Sequence, residues 1–256
     1  MVTRFKYLDH GFVKFVDSMG SDKDICDAAR VSNNLHNQDK SDDQNKRLIN
    51  YLMKNRHTSP FEMCVLKLHC KIPIFVARQL MRHRMASVNE TSGRYIDFSQ
   101  MDFYTPEFDD IALQSVSNKQ GRSDQELPAI VKNEVRQTIQ QSCSLSKNTY
   151  KDLIACNIAK ELSRAVLPQS MYTEFFWKID LHNLLHFIKL RAHPHAQKEI
   201  RDFANILIEI VRVWVPFSWE AFENHVLNAK TISKDALDAI AQANDINQIK
   251  ELLGLK

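Results

Sequence analysis

The stretch from Arg82 to Tyr95 gathers side chains that could do chemistry: Arg82, His83, Arg84, Ser87, Asn89, Glu90, Ser92, Arg94 and Tyr95. Arg78 stands just upstream on the polar face it shares with Gln79 and Arg82, so four arginines fall within 17 residues. The short polar residues between them favour loops and turns. A helix end followed by a turn can aim several guanidinium forks and hydroxyls at one point. Arginine matches phosphate geometry with two parallel N–H donors, and such a charge-assisted contact is worth about 1.5–3 kcal/mol. Glu90, an acid amid this positive charge, can orient the arginines or accept from ligand hydroxyls. A charge cluster more often reads as a solvated basic turn. The mixture of Arg, His, Ser, Asn and Glu, without the lysines of a solvated face, favours a ligand site.

Other residues raise the same kind of question. Leu184, Ile188 and Arg191 sit at i, i+4 and i+7, so Arg191 continues an apolar helical stripe. An arginine aimed inward needs a partner, because an unpaired buried charge is very costly. An internal carboxylate or a ligand would serve, and the spacing leaves both open. Arg164, before Pro168, faces a short apolar run in the same way. His182 and His186 stand at i, i+4, and His193 and His195 flank Pro194. That is metal-like spacing, but the glutamate of an H-E-x-x-H site is missing, and we expect no metal. Phe175-Phe176-Trp177 could stack on a base, although hydrophobic core is the default for such a run.

The elements that must position these residues belong to an ordinary globular chain of 256 residues, 44% hydrophobic and 25% charged. Only five glycines occur, at 11, 20, 93, 121 and 254. None can build a G-x-G-x-x-G turn or a P-loop, which excludes the two commonest nucleotide-binding devices. The net charge of +3 is too small for a general nucleic-acid surface; an RNA-binding module using helix 73–84 would need a wider basic footprint. The five cysteines form no C-x-x-C pair. Cys64 and Cys70, six residues apart in a strand, would be roughly 20 Å apart at about 3.3 Å per residue, beyond the ~7 Å reach of a disulfide. This usage suits a reducing compartment. Charges interrupt the N-terminal segment where a signal peptide needs an apolar run, and no uncharged stretch reaches the ~18 residues of a membrane helix. We expect a soluble, cytoplasmic protein.

Along the chain, 11–16 reads as an edge strand, 22–31 as a helix, and 46–55 as another. Residues 62–72 alternate, with Cys64, Leu66, Leu68 and Cys70 on one face, which predicts a half-buried strand. Pro73 suits the first position of a helix over 73–84. A turn over 85–93, a strand at Tyr95–Ser99 and an exposed loop over 105–127 follow. Helices are expected at 128–149 and 151–165, a strand at Met171–Lys178, and helices at 181–191 and 196–214, the last ended by Pro216. The tail, 217–256, reads as helical and detachable. No linker is visible, and we expect one α/β (α+β) domain.

Arg82-His83-Arg84, then Ser92 after seven residues, with Asn89-Glu90, Arg94 and Tyr95, resembles the signature of the flavin-dependent thymidylate synthases. The likeness extends to His57-Thr-Ser-Pro-Phe-Glu62, Pro73-Ile-Phe-Val-Ala-Arg-Gln79, Glu161-Leu-Ser-Arg164-Ala-Val-Leu-Pro168, Tyr172-Thr-Glu-Phe-Phe-Trp177, Leu190-Arg191-Ala and His195-Ala-Gln197. It covers roughly residues 10–225. The resemblance implies a central, mostly antiparallel sheet flanked by long helices. It implies a homotetramer whose active sites are built between subunits. We expect a single catalytic domain over 1–225, with 226–256, which lies outside the resemblance, as a helical extension. The implied reaction makes dTMP from dUMP, with FAD bound without a Rossmann loop, NADPH as reductant and 5,10-methylenetetrahydrofolate as one-carbon donor.

Carried over by position, Gln79, Arg82, Glu90, Ser92, Gly93, Arg94 and Arg191 would hold dUMP, with Arg164 from a neighbouring subunit. Arg82, His83, Arg84 and Glu90 would also meet FAD, as would Ser32, His57, Ser59, Asp180, His182 and His186. Met63 stands where many members have histidine, and Asp180 and His186 where some have asparagine. Arg191 near uracil N3 and O4 would activate the ring in place of a cysteine. Ser92, with no dedicated base beside it, reads as a nucleotide ligand more than as a nucleophile. A member that keeps the fold and the nucleotide but no longer turns over is the rival reading within the family.

Overall fold

The computed structural model describes residues 3–32, 34, 40–243, 245, 248 and 249. Its centre is a five-stranded sheet: β1 (Arg4–Tyr7), β2 (Gly11–Met19), β3 (Val65–Pro73), β4 (Ala86–Glu90) and β5 (Tyr172–Asp180). The order is β1-β2-β3-β5-β4, and every neighbouring pair runs antiparallel. The alternation of residues 64–70 is realised: Leu66, Leu68 and Cys70 are buried, while Lys67 and His69 lie on the other face. β5 repeats the pattern, with Phe175, Trp177 and Ile179 buried.

The helices are α1 (Asp22–Val31), α2 (Asp42–Lys54), α3 (Ser59–Glu62), α4 (Ile74–Leu80), α5 (Ala129–Ala155), α6 (Lys160–Ser163), α7 (Leu181–Arg191), α8 (Lys198–Trp214), α9 (Pro216–Phe222) and α10 (Lys234–Ala241). A capping box between Ser41 and Gln44 starts α2 earlier than its apolar residues suggest. α7 and α8 lay Leu184, Ile188, Phe203 and Leu207 against the inner face of the sheet. Trp177, Phe187 and Phe203 meet edge-on or tilted there, with centroids 5.5–6.2 Å apart, an arrangement that aromatic rings favour. A smaller cluster of Phe98, Tyr150 and Met171 lies under α5.

Several expectations are corrected. Residues 11–16 are not at an edge: β1 pairs outside β2. Residues 85–93, expected as a turn, contain β4. As an edge strand with little burial it needs almost no apolar residues, and its polarity imitates a turn. Tyr95–Ser99 forms no strand; it is turn and bend around the buried Phe98. The helix expected over 73–84 stops at Leu80, and the chain turns there to feed β4. The helix expected at 128–149 runs on to Ala155 as one 27-residue helix, because no Gly or Pro interrupts it before Asn157 takes a positive φ of 58°; of the helix expected at 151–165, only the short α6 and a 3-10 turn at Arg164–Val166 lie beyond that break. Pro216 does not merely end α8; it is the first residue of α9. α9 is no detachable tail, since Trp219, Ala221 and Phe222 are core. Among the described residues no helix is long and apolar enough to cross a membrane.

Candidate active site

The chain leaves α4 at Leu80, passes through Arg82, His83 and Arg84 in a tight turn, and enters β4. β4 pairs with β5, placing Ala86 opposite Ile179 and Glu90 opposite Phe175. β5 runs straight into α7, whose last residue is Arg191. The turn from α4 into β4, the pairing of β4 with β5 and the junction of β5 with α7 together bring the arginine turn to the C-terminal end of α7.

Between them lies a cavity of about 970 Å³. Its walls carry Arg78, Arg82, Arg84 and Arg191, together with Gln79 and His83, and no Asp or Glu. Among the described residues none of the four guanidinium groups has a carboxylate partner. Arg191 is half-buried; its Nε donates to His83 Nε2 at 3.1 Å, and its Nη2 reaches the Gln79 carbonyl at 3.5 Å. The internal ion pair left open by the sequence is therefore not what holds Arg191. Burial and the neighbouring Arg82 pull its pKa below the ordinary value, yet an arginine remains charged. The site holds positive charge unopposed, which is the arrangement that welcomes an anion.

Because Nε2 of His83 accepts from Arg191, the ring is neutral with its proton on Nδ1. Burial, Arg191 and His186 pull its pKa from 6.5 down to about 4. The unfolded ring protonates near its ordinary value and the folded one resists. This group therefore adds stability above about pH 6.5 that is lost progressively toward pH 4. Thermal melting of the wild type between about pH 7.5 and 5 should fall more steeply than that of His83→Asn. Parallel curves would show that His83 titrates like a surface histidine.

Not all of the expected residues converge. Glu90, Ser92, Gly93, Arg94 and Arg164 form a second group at the far end of β4, ~13 Å of strand from Ala86. There Thr173 donates to Glu90 at 2.5 Å, the Arg94 amide donates to Ser92 Oγ at 3.3 Å, and Arg94 lies 3.6 Å from Glu161. Gly93 packs against Phe98 and the Arg164 side chain of its own chain.

His57 and His182 line a second cavity, of about 410 Å³, with Phe61, Leu185 and Phe222; His186 joins it to the arginine cleft. Ser32 and Ser59 are exposed and line neither cavity. Asp180 spends both carboxylate oxygens on α7, accepting from the Asn183 amide at 2.9 Å and its side chain at 2.8 Å. Asp180→Ala should cost about 1 kcal/mol, or roughly 2–4 °C in Tm, whereas Asp180→Asn should leave Tm almost unchanged. Equal losses for both variants would refute the capping role.

Sequence reasoning missed Asn183, which lines the cleft together with His186 and Leu190. Their spacing along α7, three and then four residues, was the available signal.

Fold and cleft together define a protein built to hold an anionic ligand beside an antiparallel sheet. A family model described as "Thymidylate synthase complementing protein" matches residues 14–217. Curated relatives named flavin-dependent thymidylate synthase include those of Treponema denticola and Rickettsia conorii. The first is 47% identical over 240 residues, covering 94% of this chain and 89% of that protein. The second is 47% identical over 247 residues, covering 92% and 83%. Among solved structures, the UMP/dUMP methylase PolB from Streptomyces cacaoi bound with 5-Br dUMP superposes with a TM-score of 0.75 at 30% identity, covering 86% of this chain and 97% of that one. The chain belongs to the flavin-dependent thymidylate synthase family. It is thus an enzyme, of the methyltransferase kind.

The residues present fit a flavin. The second cavity offers an apolar wall (Phe61, Leu185, Phe222) and histidine donors, and its shared His186 leads to guanidinium groups able to take a pyrophosphate. Neither feature needs a glycine-rich loop.

Proposed function

We propose that this protein methylates dUMP to dTMP, with FAD as bound cofactor, NADPH as reductant and 5,10-methylenetetrahydrofolate as one-carbon donor. The observation that carries the reading is Arg191: a half-buried cation beside a neutral histidine, with no carboxylate partner among the described residues. The relatives' names and the PolB complex with 5-Br dUMP supply the substrate class.

In this reading Gln79, Arg82 and Arg191 hold dUMP in the cleft, and Glu90, Ser92, Gly93, Arg94 and Arg164 hold it from the far end of β4. One chain's loop group would serve another chain's cleft, which accounts for the separation of the two groups; the homotetramer with shared sites that the resemblance implies would supply that second chain. α5 supports such an assembly: only Cys143 and Tyr150 of its 27 residues are buried, and Ile130 and Leu145 are about 70% exposed. Ser32, His57, Ser59, His83, Arg84, His182 and His186 would hold FAD, with Arg82 and Glu90 between the two ligands. Asp180 would act on that side through α7, since its carboxylate is already committed to the helix.

Uracil C5 must become nucleophilic. A thiolate added at C6 would do this, but no cysteine lines the cleft; Cys156 is exposed at the end of α5, the other four are buried, and burial pushes the thiols of Cys26 and Cys64 up, to about 11 and about 12. Arg191 does it instead, by placing positive charge at N3 and O4 where negative charge develops. FAD, when bound, would supply the redox equivalents that NADPH delivers. Ser92 hydrogen-bonds the nucleotide; no base pairs with its hydroxyl among the described residues. The free thiols accord with a cytoplasmic enzyme.

The test is the visible absorption spectrum of the purified protein, followed by anaerobic NADPH with and without dUMP. A flavin spectrum that bleaches, faster with dUMP, is the expected result. A colourless protein that takes up no FAD would overturn the reading.

A further inference from the structure

Glu199, the second residue of α8, is 1% exposed and has no part in the reaction above. A carboxylate can only accept hydrogen bonds. Oε1 accepts from Arg122 and from the Tyr104 hydroxyl at 3.0 Å, and Oε2 accepts from Gln197 Nε2 at 2.8 Å. Tyr7, from β1, donates to the Glu199 backbone carbonyl at 2.7 Å. Burial opposes the charge, but Arg122 and Gln197 outweigh it and hold the carboxyl below its ordinary value.

An acceptor at Glu199 dictates everything downstream. Gln197 must turn its NH2 toward Glu199, which leaves its carbonyl oxygen for Gln79. Gln79 donates its own NH2 to that oxygen. Gln79 Oε1 is then the end of the chain, with no protein donor among the described residues, on a side chain that lines the cleft with Arg82 and Arg191.

We propose that Glu199 is a positioning residue for the nucleotide: acting through Gln197, it locks the Gln79 amide with its carbonyl oxygen toward the cleft, where it accepts from an N–H or O–H of dUMP. This rests on the dUMP reading above. Without the carboxylate either amide face could turn to the cleft, and the NH2 face would meet ligand donors and arginines. Segment 105–127 gains a role as well, since Arg122 brings the cation that balances the buried acid.

Calorimetric titration of dUMP into the flavin-loaded protein tests this, using wild type, Glu199→Gln, Gln79→Ala and the double variant. Glu199→Gln and Gln79→Ala should each weaken dUMP binding about tenfold, the scale of one hydrogen bond. The double variant should be no weaker than the worse single one, because the two act in one chain. Arg122→Lys, which keeps the cation, should stay within about threefold. Should Glu199→Gln fail to fold, Gln197→Met cuts the same link at a part-exposed position. Additive losses, or unchanged affinity in Glu199→Gln or Gln197→Met, would overturn the positioning role alone. A wild type that does not bind dUMP would overturn the dUMP reading and this inference with it.

Discussion

Arg191→Ala should lower kcat by about 10²–10³-fold while the protein still folds and takes up FAD. That factor is what removal of one preorganised donor to a developing anion costs. The fold should tolerate the change, because Arg191 has no carboxylate partner among the described residues and its removal orphans no acid. Its contacts are the His83 ring and one carbonyl. Removing its charge also relieves one of the causes that depress the His83 pKa, so that pKa should rise toward 6.5. An NMR titration of the His83 ring therefore reads the vacancy independently of turnover. Ser92→Ala, by contrast, should lose no more than about tenfold, the share of one ligand hydrogen bond. An inactive Ser92→Ala that still binds dUMP, beside an active Arg191→Ala, would reverse the two roles.

Gly93→Ala should damage both the fold and the candidate site. A Cβ there would lie 2.3 Å from Phe98 Cε2, 2.9 Å from Cζ and 3.1 Å from Arg164 Cδ. Phe98 cannot step aside freely. It is 7% exposed, packed with Tyr150 and Met171, and its amide donates to the Tyr150 hydroxyl at 3.1 Å. Overpacking of this kind costs about 1–3 kcal/mol, which at this chain length lowers Tm by roughly 2–4 °C per kcal/mol. Because Ser92, Arg94 and Arg164 flank the glycine, dUMP affinity should fall by at least about tenfold. Phe98→Leu, made together with Gly93→Ala, should recover part of both losses by opening room for the methyl. An unchanged Tm and an unchanged dUMP affinity would show that the loop relaxes without cost.

Elements whose apolar period was clear were legible from the chain. β3 follows the alternation of 64–70, and α7 begins and ends where the spacing of Leu184, Leu185 and Ile188 implies. Errors fell where local composition and tertiary position disagree. Ala86–Glu90 is polar because it is an edge strand, and no window of sequence distinguishes that from a turn. Glu199 was passed over within an amphipathic helix, because nothing in the i, i+3, i+4 pattern shows that Arg122, 77 residues away, would reach it. The tail looks detachable in sequence for the same reason: the seven residues of α9 are too few for periodicity to reveal their packing against α2.

The chemistry on offer is written in the residue types and their spacing. Its spaced arginines, its scarcity of glycine and its unpaired cysteines exclude a Rossmann loop and a disulfide framework, and they point to a guanidinium-lined site. Those properties reside in residue types and short spacings, which survive without a fold. Where the charges stand is set by the folded chain. It placed Arg191 against His83 with no acid to neutralise it, split the expected substrate residues between the two ends of β4, and tied Gln79 to a buried carboxylate through Gln197. Each of these depends on contacts between residues about 80 to 120 positions apart in the chain. The path of the chain through the sheet sets such contacts, and no local period encodes them.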